Sequence, residues 1–232
     1  MIDAIVMAGG RTDRLPLPYK ADLTLGDRRM VDYVVAALQA VPEIGDVRVH
    51  RGTHKDLVPN LLDALTDVAD DSRYVLVVSC DIPFLTPEAV QDFLGRCDGT
   101  ADVYYPIISR DACERQFPDV RRTYARLREG TFTGGNLFLI RPGILPPLSV
   151  RLERLFALRK SPLRLSKELG YGVIGRFLLS ALFRTLSVHA LEARVGRIAG
   201  LRAKAVISDY PEIGTDIDKE SDLILARRVH LL

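Results

Sequence analysis

The chain has 232 residues, of which 47% are hydrophobic and 27% are charged, and its net charge is +2. This length and composition fit one large soluble domain, or one domain with an insertion, that can bury a sizeable core. The cysteines Cys80, Cys97 and Cys113 show neither metal-binding spacing nor an even disulfide framework, no apolar run reaches the roughly 18 residues of a membrane-spanning helix, and the N-terminus lacks a signal-peptide pattern, so we expect a cytoplasmic protein.

The first pattern in the chain is a short apolar run at residues 4–7, which predicts a buried strand ending at Gly9 and Gly10. Two cations, Arg14 and Lys20, follow on the next loop. Glycine lets a backbone turn tightly and approach a ligand, so a strand followed by glycines and cations is typical of a phosphate-binding loop. The motif is neither a Walker loop nor a Gly-x-Gly-x-x-Gly fingerprint, and an ordinary turn between strand and helix explains it equally well.

Strand and helix patterns then alternate along the chain. Helices are predicted at 30–41 and 57–68, after Thr86 with Pro87 at the first helical position, and at 221–229; strands are predicted at 46–50, 74–78, 103–108, 136–140 and 205–207. Alternation of this kind indicates right-handed βαβ units. We therefore expect an α/β fold in three layers, with a mostly parallel sheet covered by helices on both faces.

A carboxylate, Asp81, follows the predicted strand at 74–78, which is apolar on both faces and so belongs in the centre of a parallel sheet. Ligands of open α/β sheets bind at the carboxyl ends of the strands. With Pro83 fixing the turn, Asp81 is placed to hold a hard cation such as Mg²⁺. The alternative is that Asp81 only caps or solvates a loop.

Two further carboxylates, Asp216 and Asp218, precede the closing helix. Alternate residues of an extended segment point to the same side, so both carboxylates can face one site. One of them can instead serve as the N-cap of the closing helix, a role that we assign with equal weight to Ser221 or Asp218.

Residues 151–204 carry 12 Lys and Arg against 3 Asp and Glu, a local charge of +9. Helical patterns at 152–165 and 173–187 suggest a basic helical insertion at about 150–200 in a single domain spanning 1–232. Such a segment can pack on the domain, form a homodimer, or meet an anionic membrane surface through its apolar and basic faces. Nucleic-acid binding is disfavoured because aromatic stacking residues and a recognition motif are missing.

Three motifs in this order resemble those of a known enzyme family: Met7-Ala8-Gly9-Gly10 with Arg14 and Lys20, then Cys80-Asp81-Ile82-Pro83-Phe84-Leu85, then Asp216-Ile217-Asp218. Together they resemble the MobA-like nucleotidyltransferases, the molybdenum-cofactor guanylyltransferase type, which have a GT-A-like fold related to the Rossmann arrangement. The resemblance covers residues 1–145 and 203–232. It implies transfer of an NMP group from an NTP to a phosphorylated acceptor, small or lipid-linked, with Mg²⁺ as cofactor and release of pyrophosphate.

The resemblance also implies roles for single residues. Ala8, Gly9 and Gly10 match the loop that wraps the nucleotide, Arg14 and Lys20 match its phosphate-binding cations, Asp81 matches the metal-binding aspartate, and Asp218 matches the second metal ligand. The implied catalytic residues are Arg14, Lys20 and Asp81. More loosely, Gly52 and Asn60 resemble the segment that closes over the base, and Gly134, Gly135 and Asn136 resemble the acceptor-side loop.

The sequence departs from the family pattern at Arg11, where a small residue is common two positions after the first glycine, and Pro16 and Pro18 stiffen the loop that follows. Two other functions therefore stay open. One is a catalytically inactive nucleotide-binding or scaffolding module, although two separated metal carboxylates are more than binding alone requires. The other is a glycosyltransferase that uses nucleotide sugars, which an Asp-x-Asp motif near the middle of the chain would have favoured; Asp81 stands alone there.

Overall fold

The computed structural model describes residues 1–10, 19–54, 57–66, 74–150 and 186–230. The strands are β1 (Ile2–Met7), β2 (Thr24–Leu25), β3 (Arg28–Arg29), β4 (Ile44–His50), β5 (Val75–Ser79), β6 (Val103–Ser109), β7 (Ala125–Leu127), β8 (Gly130–Gly134), β9 (Leu137–Ile140) and β10 (Ala203–Ser208). The α-helices include α1 (Met30–Gln39), α2 (Leu57–Leu65), α3 (Pro87–Gly95), α4 (Arg110–Gln116), α5 (Val188–Ala199) and α6 (Glu220–His230). Short 3-10 helices lie at Lys20–Asp22, Pro142–Ile144 and Pro211–Gly214.

The main sheet has the order β4-β1-β5-β9-β6, with β10 beside β6 and the β7–β8 hairpin beside the end of β6. β4, β1 and β5 are parallel to one another, and β9 is antiparallel to both β5 and β6. β5, β6 and β10 therefore run in the same direction, so the expected mostly parallel sheet is confirmed. β9 is reversed because the chain leaves β6 through α4 and β7 and returns alongside β6 through β8 and β9 without a crossover.

The alternation of side chains along the central strands explains the three layers. Leu76 and Val78 of β5 pack on one face of the sheet, in a cluster that includes residues of α1, α3 and α4. Val75 and Val77 point to the other face, where they pack with Leu61 of α2. Both faces of β5 are thus buried, as its unbroken apolar sequence predicts.

The C-terminal third differs from the sequence-based expectation. Leu186 and Ser187 are not helical, so the helix predicted at 173–187 does not reach its expected end; Ser187 instead caps the next helix, its hydroxyl accepting a hydrogen bond from the Ala190 N–H at 3.1 Å. That helix, α5, is not predicted because Ala199 is its only buried residue, so its apolar periodicity is weak. The helix predicted at 152–165 lies outside the described residues, as do residues 173–185 of the second.

The basic segment therefore enters the described structure only at its C-terminal end. Leu186 packs there with Ile107, Leu127 and Phe132 of the sheet. Of the helices in the described ranges, none combines the length and the apolar character that crossing a membrane would require.

Candidate active site

The first glycines of the chain lie where the C-terminal ends of β1 and β4 meet. The Ala8 N–H donates to the His50 carbonyl at 2.7 Å, and a Cβ on Gly9 would collide with the carbonyl oxygen of Arg51. Gly9 is therefore needed for this close approach of two backbones. A Cβ on Gly10 would meet no atom within 4 Å, and the Gly10 carbonyl accepts a hydrogen bond from the Lys20 N–H at 3.3 Å. The predicted cation Arg14 lies outside the described residues.

Lys20 lies between two carboxylates that are remote from it in sequence. Its Nζ donates to Asp81 Oδ2 at 2.6 Å and also to Asp218 Oδ1. The Lys20 and Asp81 side chains are each only 12% exposed, whereas Asp218 is 60% exposed. Asp81 is held from its other oxygen by the Ser79 hydroxyl, which donates to Oδ1. The structure thus brings together three of the residues that the sequence predicts for the site.

A backbone hydrogen bond brings the third carboxylate to the same place. The Ile217 N–H donates to the Asp81 carbonyl at 2.9 Å, and the Ile217 side chain is fully buried. The residues on either side, Asp216 and Asp218, therefore flank Asp81, and ligand oxygens of these carboxylates lie within 4.8 Å of one another. Either Asp216 or Asp218 fits the second ligand position that the sequence predicts.

Neither Ser221 nor Asp218 fills the predicted capping role at the closing helix. α6 begins at Glu220, and the Asp222 carboxylate, inside its first turn, accepts hydrogen bonds from the N–H groups of Asp218 (3.1 Å) and Lys219 (3.2 Å). The Asp218 carboxylate faces Lys20 instead. The start of this helix thus keeps Asp218 available to the site.

The charges of the site shift one another's protonation. Burial by itself lowers the pKa of Lys20, but the Asp81 and Asp218 carboxylates raise it above its ordinary value, so Lys20 stays charged. Burial and the negative charges of Asp81 and Asp218 raise the pKa of Asp216 to about 6. The cluster is therefore rich in negative charge beyond what one ammonium neutralises.

This donor set suits a hard divalent cation, because carboxylate oxygens are the ligands that such ions prefer. The ammonium of Lys20 lies against two of the carboxylates and meets the same demand for positive charge. Asp81, Asp216 and Asp218 are the residues that would hold the ion.

On the β4 side of the site, Asn60 shapes the loop that follows the strand. Its Oδ1 accepts from the N–H groups of Thr53 (3.0 Å) and His54 (2.8 Å), and its Nδ2 donates to the His54 carbonyl at 2.7 Å. Gly52 has a φ of +71°, which favours glycine, and a Cβ there would press on the Asn60 amide. The base-binding role predicted for Gly52 and Asn60 stays a prediction, and Asn60 would contribute to it through the loop that it holds.

On the other side of the site, Gly134, Gly135 and Asn136 connect β8 to β9. The Asn136 carbonyl accepts from the Ser79 N–H at 2.9 Å, next to Asp81. A Cβ on Gly134 would collide with the Tyr105 hydroxyl, which donates to the Gly135 carbonyl at 2.8 Å. The predicted acceptor-side loop thus lies beside the carboxylates, but its contact with an acceptor remains a prediction.

One residue pair near the site has no signal in the sequence motifs. Arg51, which follows β4, makes a two-pronged ion pair with Asp22 at 2.8 and 2.9 Å. Asp22 lies in the same 3-10 helix as Lys20. The pair therefore ties the segment that carries Lys20 to the β4 side of the sheet, and only spatial proximity reveals it.

Lys20 with three carboxylates at the carboxyl edge of the sheet matches the arrangement that the sequence resemblance implies. The model of the MobA-like NTP transferase domain matches residues 4–168, well over half of the chain. The chain belongs to the MobA-like NTP transferase family. It is accordingly a nucleotidyltransferase, of a family whose members generally use a divalent metal ion.

Solved structures agree with this MobA-like assignment. A hypothetical transferase from Thermus thermophilus is 39% identical, has a TM-score of 0.82, and the match covers 96% of this chain and 99% of that one. A CMP:2-keto-3-deoxy-manno-octonic acid synthetase complexed with CTP is 16% identical with a TM-score of 0.58, over 99% of this chain and 98% of that one. The molybdopterin-guanine dinucleotide biosynthesis protein A of Archaeoglobus fulgidus is 13% identical with a TM-score of 0.52, over 98% of both chains. The last two show a shared fold, and a search of curated proteins gave no significant match.

Proposed function

We propose that this MobA-like protein transfers an NMP group from an NTP to a phosphorylated acceptor, with Mg²⁺ as the metal ion and pyrophosphate as the second product. The observation that carries the proposal is the convergence of Lys20 with Asp81, Asp216 and Asp218 at one edge of the sheet. Phosphoryl chemistry needs no protein nucleophile, so positioned cations and metal carboxylates are the groups that it requires.

The roles follow from position and charge. Lys20 remains protonated because its pKa is raised, so it can offset the charge of the triphosphate when the nucleotide enters. Asp81 and Asp218, with Asp216, would hold Mg²⁺, which would polarise the phosphate oxygens when bound. An acceptor phosphate oxygen would then attack the α-phosphorus of the NTP, and pyrophosphate would leave.

We place the two substrates on either side of these carboxylates. Ala8, Gly9 and Gly10, together with the loop that Asn60 holds, form the nucleotide side. Gly134, Gly135 and Asn136 form the acceptor side, where the absence of side chains leaves room for a bulky group. Arg14 completes the set of phosphate-binding cations in this proposal.

For the chain as a whole, we propose one nucleotidyltransferase domain over 1–232 with a basic insertion at about 150–200. A local charge of +9 supports contact with something acidic, either the domain itself or a second copy in a homodimer. Peripheral contact with an anionic membrane is the alternative, and would favour a lipid-linked acceptor. Either arrangement is compatible with a cytoplasmic enzyme.

The experiment is a screen of the four NTPs against phosphorylated acceptors, scored by pyrophosphate release in the presence and absence of Mg²⁺. Asp81→Ala and Asp218→Ala are run alongside, with circular dichroism to establish that both variants fold. We expect metal-dependent release with one nucleotide and its loss in both variants. Near-normal turnover in folded Asp81→Ala would refute the assignment of this site.

A further inference from the structure

Arg122 lies in the segment between α4 and β7 and reaches the loop that carries the metal carboxylates. Its Nη1 donates to the Gly214 carbonyl and its Nη2 donates to the Thr215 hydroxyl, positions 92 and 93 residues away in sequence. The two contacted residues directly precede Asp216. A guanidinium presents its donors as a rigid fork, so this pair of bonds fixes direction as well as distance.

The surroundings of Arg122 indicate a geometric role. The residue is half-buried, and its Nε is buried without a hydrogen-bond partner. Within the described part of the chain it makes no ion pair with a carboxylate, unlike Arg51 or Arg202. Taking a guanidinium out of water without a counter-charge costs free energy, so a hydrophobic side chain would suit the site better if packing were all that it required.

The loop that Arg122 contacts is held at successive points around Asp216. Thr215 is 2% exposed, and its hydroxyl donates to the Pro211 carbonyl at 2.6 Å while it accepts from Arg122. On the other side of Asp216, the Ile217 N–H donates to the Asp81 carbonyl. Asp216 is therefore suspended between two anchored residues, and Arg122 supplies one of the anchors.

The same stretch is packed without slack. A Cβ on Gly214 would lie 3.0 Å from the Gly134 carbonyl and 3.5 Å from Nη1 of Arg122. Loss of the arginine would leave the Gly214 carbonyl and the Thr215 hydroxyl to find other partners, and the backbone that carries Asp216 would shift with them.

We propose that Arg122 is a positioning residue that holds Asp216 and Asp218 in the arrangement a divalent cation requires. The proposal rests on the function proposed above, because it assigns the carboxylates to a metal. Arg122 acts on them through the backbone at Gly214 and through Thr215, and it touches neither nucleotide nor metal. Residues that orient metal ligands from outside typically contribute about 10- to 100-fold to metal affinity.

The test measures binding of Mn²⁺ alone, by electron paramagnetic resonance, without nucleotide. Arg122→Met keeps the aliphatic stem and removes both donors, Arg122→Lys restores one charged donor, and Arg121→Met makes the same change at the exposed neighbouring position. We expect about 10- to 100-fold weaker Mn²⁺ binding in Arg122→Met, a smaller loss in Arg122→Lys, and wild-type binding in Arg121→Met. The metal concentration that gives half-maximal turnover should rise by the same factor, an effect that general destabilisation would not produce.

Thermal unfolding accompanies each measurement. If Arg122→Met does not fold, Arg122→Lys carries the test through its weaker Mn²⁺ binding. Wild-type Mn²⁺ affinity in a folded Arg122→Met or Arg122→Lys would overturn the inference while leaving the proposed function standing. If the wild-type protein itself neither binds Mn²⁺ nor releases pyrophosphate, the proposed function fails and takes this inference with it.

Discussion

Replacing Lys20 by methionine should tighten the binding of a divalent cation while it weakens catalysis. The Lys20 ammonium lies 2.6 Å from Asp81 Oδ2 and also contacts Asp218, so an ion entering between these carboxylates must displace it. Methionine keeps the length of the side chain and removes the charge. The competing ammonium is then absent, and the carboxylates are free for the metal.

The two ion pairs contribute unequally to this competition. The Asp218 side chain is 60% exposed, so its pair with Lys20 is worth less than about 1 kcal/mol. The Asp81 and Lys20 side chains are each 12% exposed, and a hydrogen bond between charged, mostly buried groups contributes about 1.5–3 kcal/mol. After partial rehydration of the displaced ammonium we expect a net change of about 2 kcal/mol, which corresponds to roughly 10- to 30-fold tighter binding.

The assay is Mn²⁺ titration followed by electron paramagnetic resonance without nucleotide, paired with pyrophosphate release at saturating metal. Turnover should fall by about 10²-fold, the scale seen when one preorganised transition-state contact is removed. Lys204→Met is the matched control, because Lys204 also pairs with an aspartate, Asp98, but lies near the start of β10, at the far end of the sheet from the site. Unchanged or weaker Mn²⁺ binding in Lys20→Met would refute the view that the ammonium and the metal share these carboxylates.

Three other predictions test different parts of the molecule. Asp216 has a pKa of about 6 against an ordinary value of 3.8, so the metal-free protein should lose stability as pH rises from about 4 to 6, where folding binds a proton that the unfolded chain has released. Asp216→Asn should flatten that slope in thermal unfolding, and a slope equal to that of the wild type would contradict the assignment. Gly9→Ala should destabilise the fold by about 1–3 kcal/mol through its clash with Arg51, whereas Gly10→Ala, whose Cβ meets nothing, should unfold like the wild type. In liposome sedimentation, a membrane-binding insertion should bind anionic but not neutral vesicles, with about 1 kcal/mol lost for each of Arg176→Glu and Arg184→Glu near the surface, and more at high salt; absence of binding to either vesicle would leave the packed or dimeric arrangement.

Local features of the site could be read directly from the sequence, because each depends on neighbours within a few residues. The unbroken apolar run of β5 places it in the centre of the sheet, and Asp81 follows at its carboxyl end. Thr86 and Pro87 set the start of α3, where the Thr86 hydroxyl accepts from the Ala89 N–H at 3.2 Å. Capping, alternation and glycine geometry act over short distances, so the chain itself encodes them.

The tertiary structure alone decided which of these features meet. Lys20 is 61 residues from Asp81 and 198 from Asp218, and no spacing rule connects positions so far apart. The reversal of β9 depends on how the chain returns past β6, and α5 carries too few buried residues for its periodicity to reveal it. The contact of Arg122 with Gly214 and Thr215 arises in the same way, from two irregular segments packed together. Contacts of this kind depend on the packing of the whole domain, which is why the sequence could name the carboxylates of the site but not the residue that holds them in place.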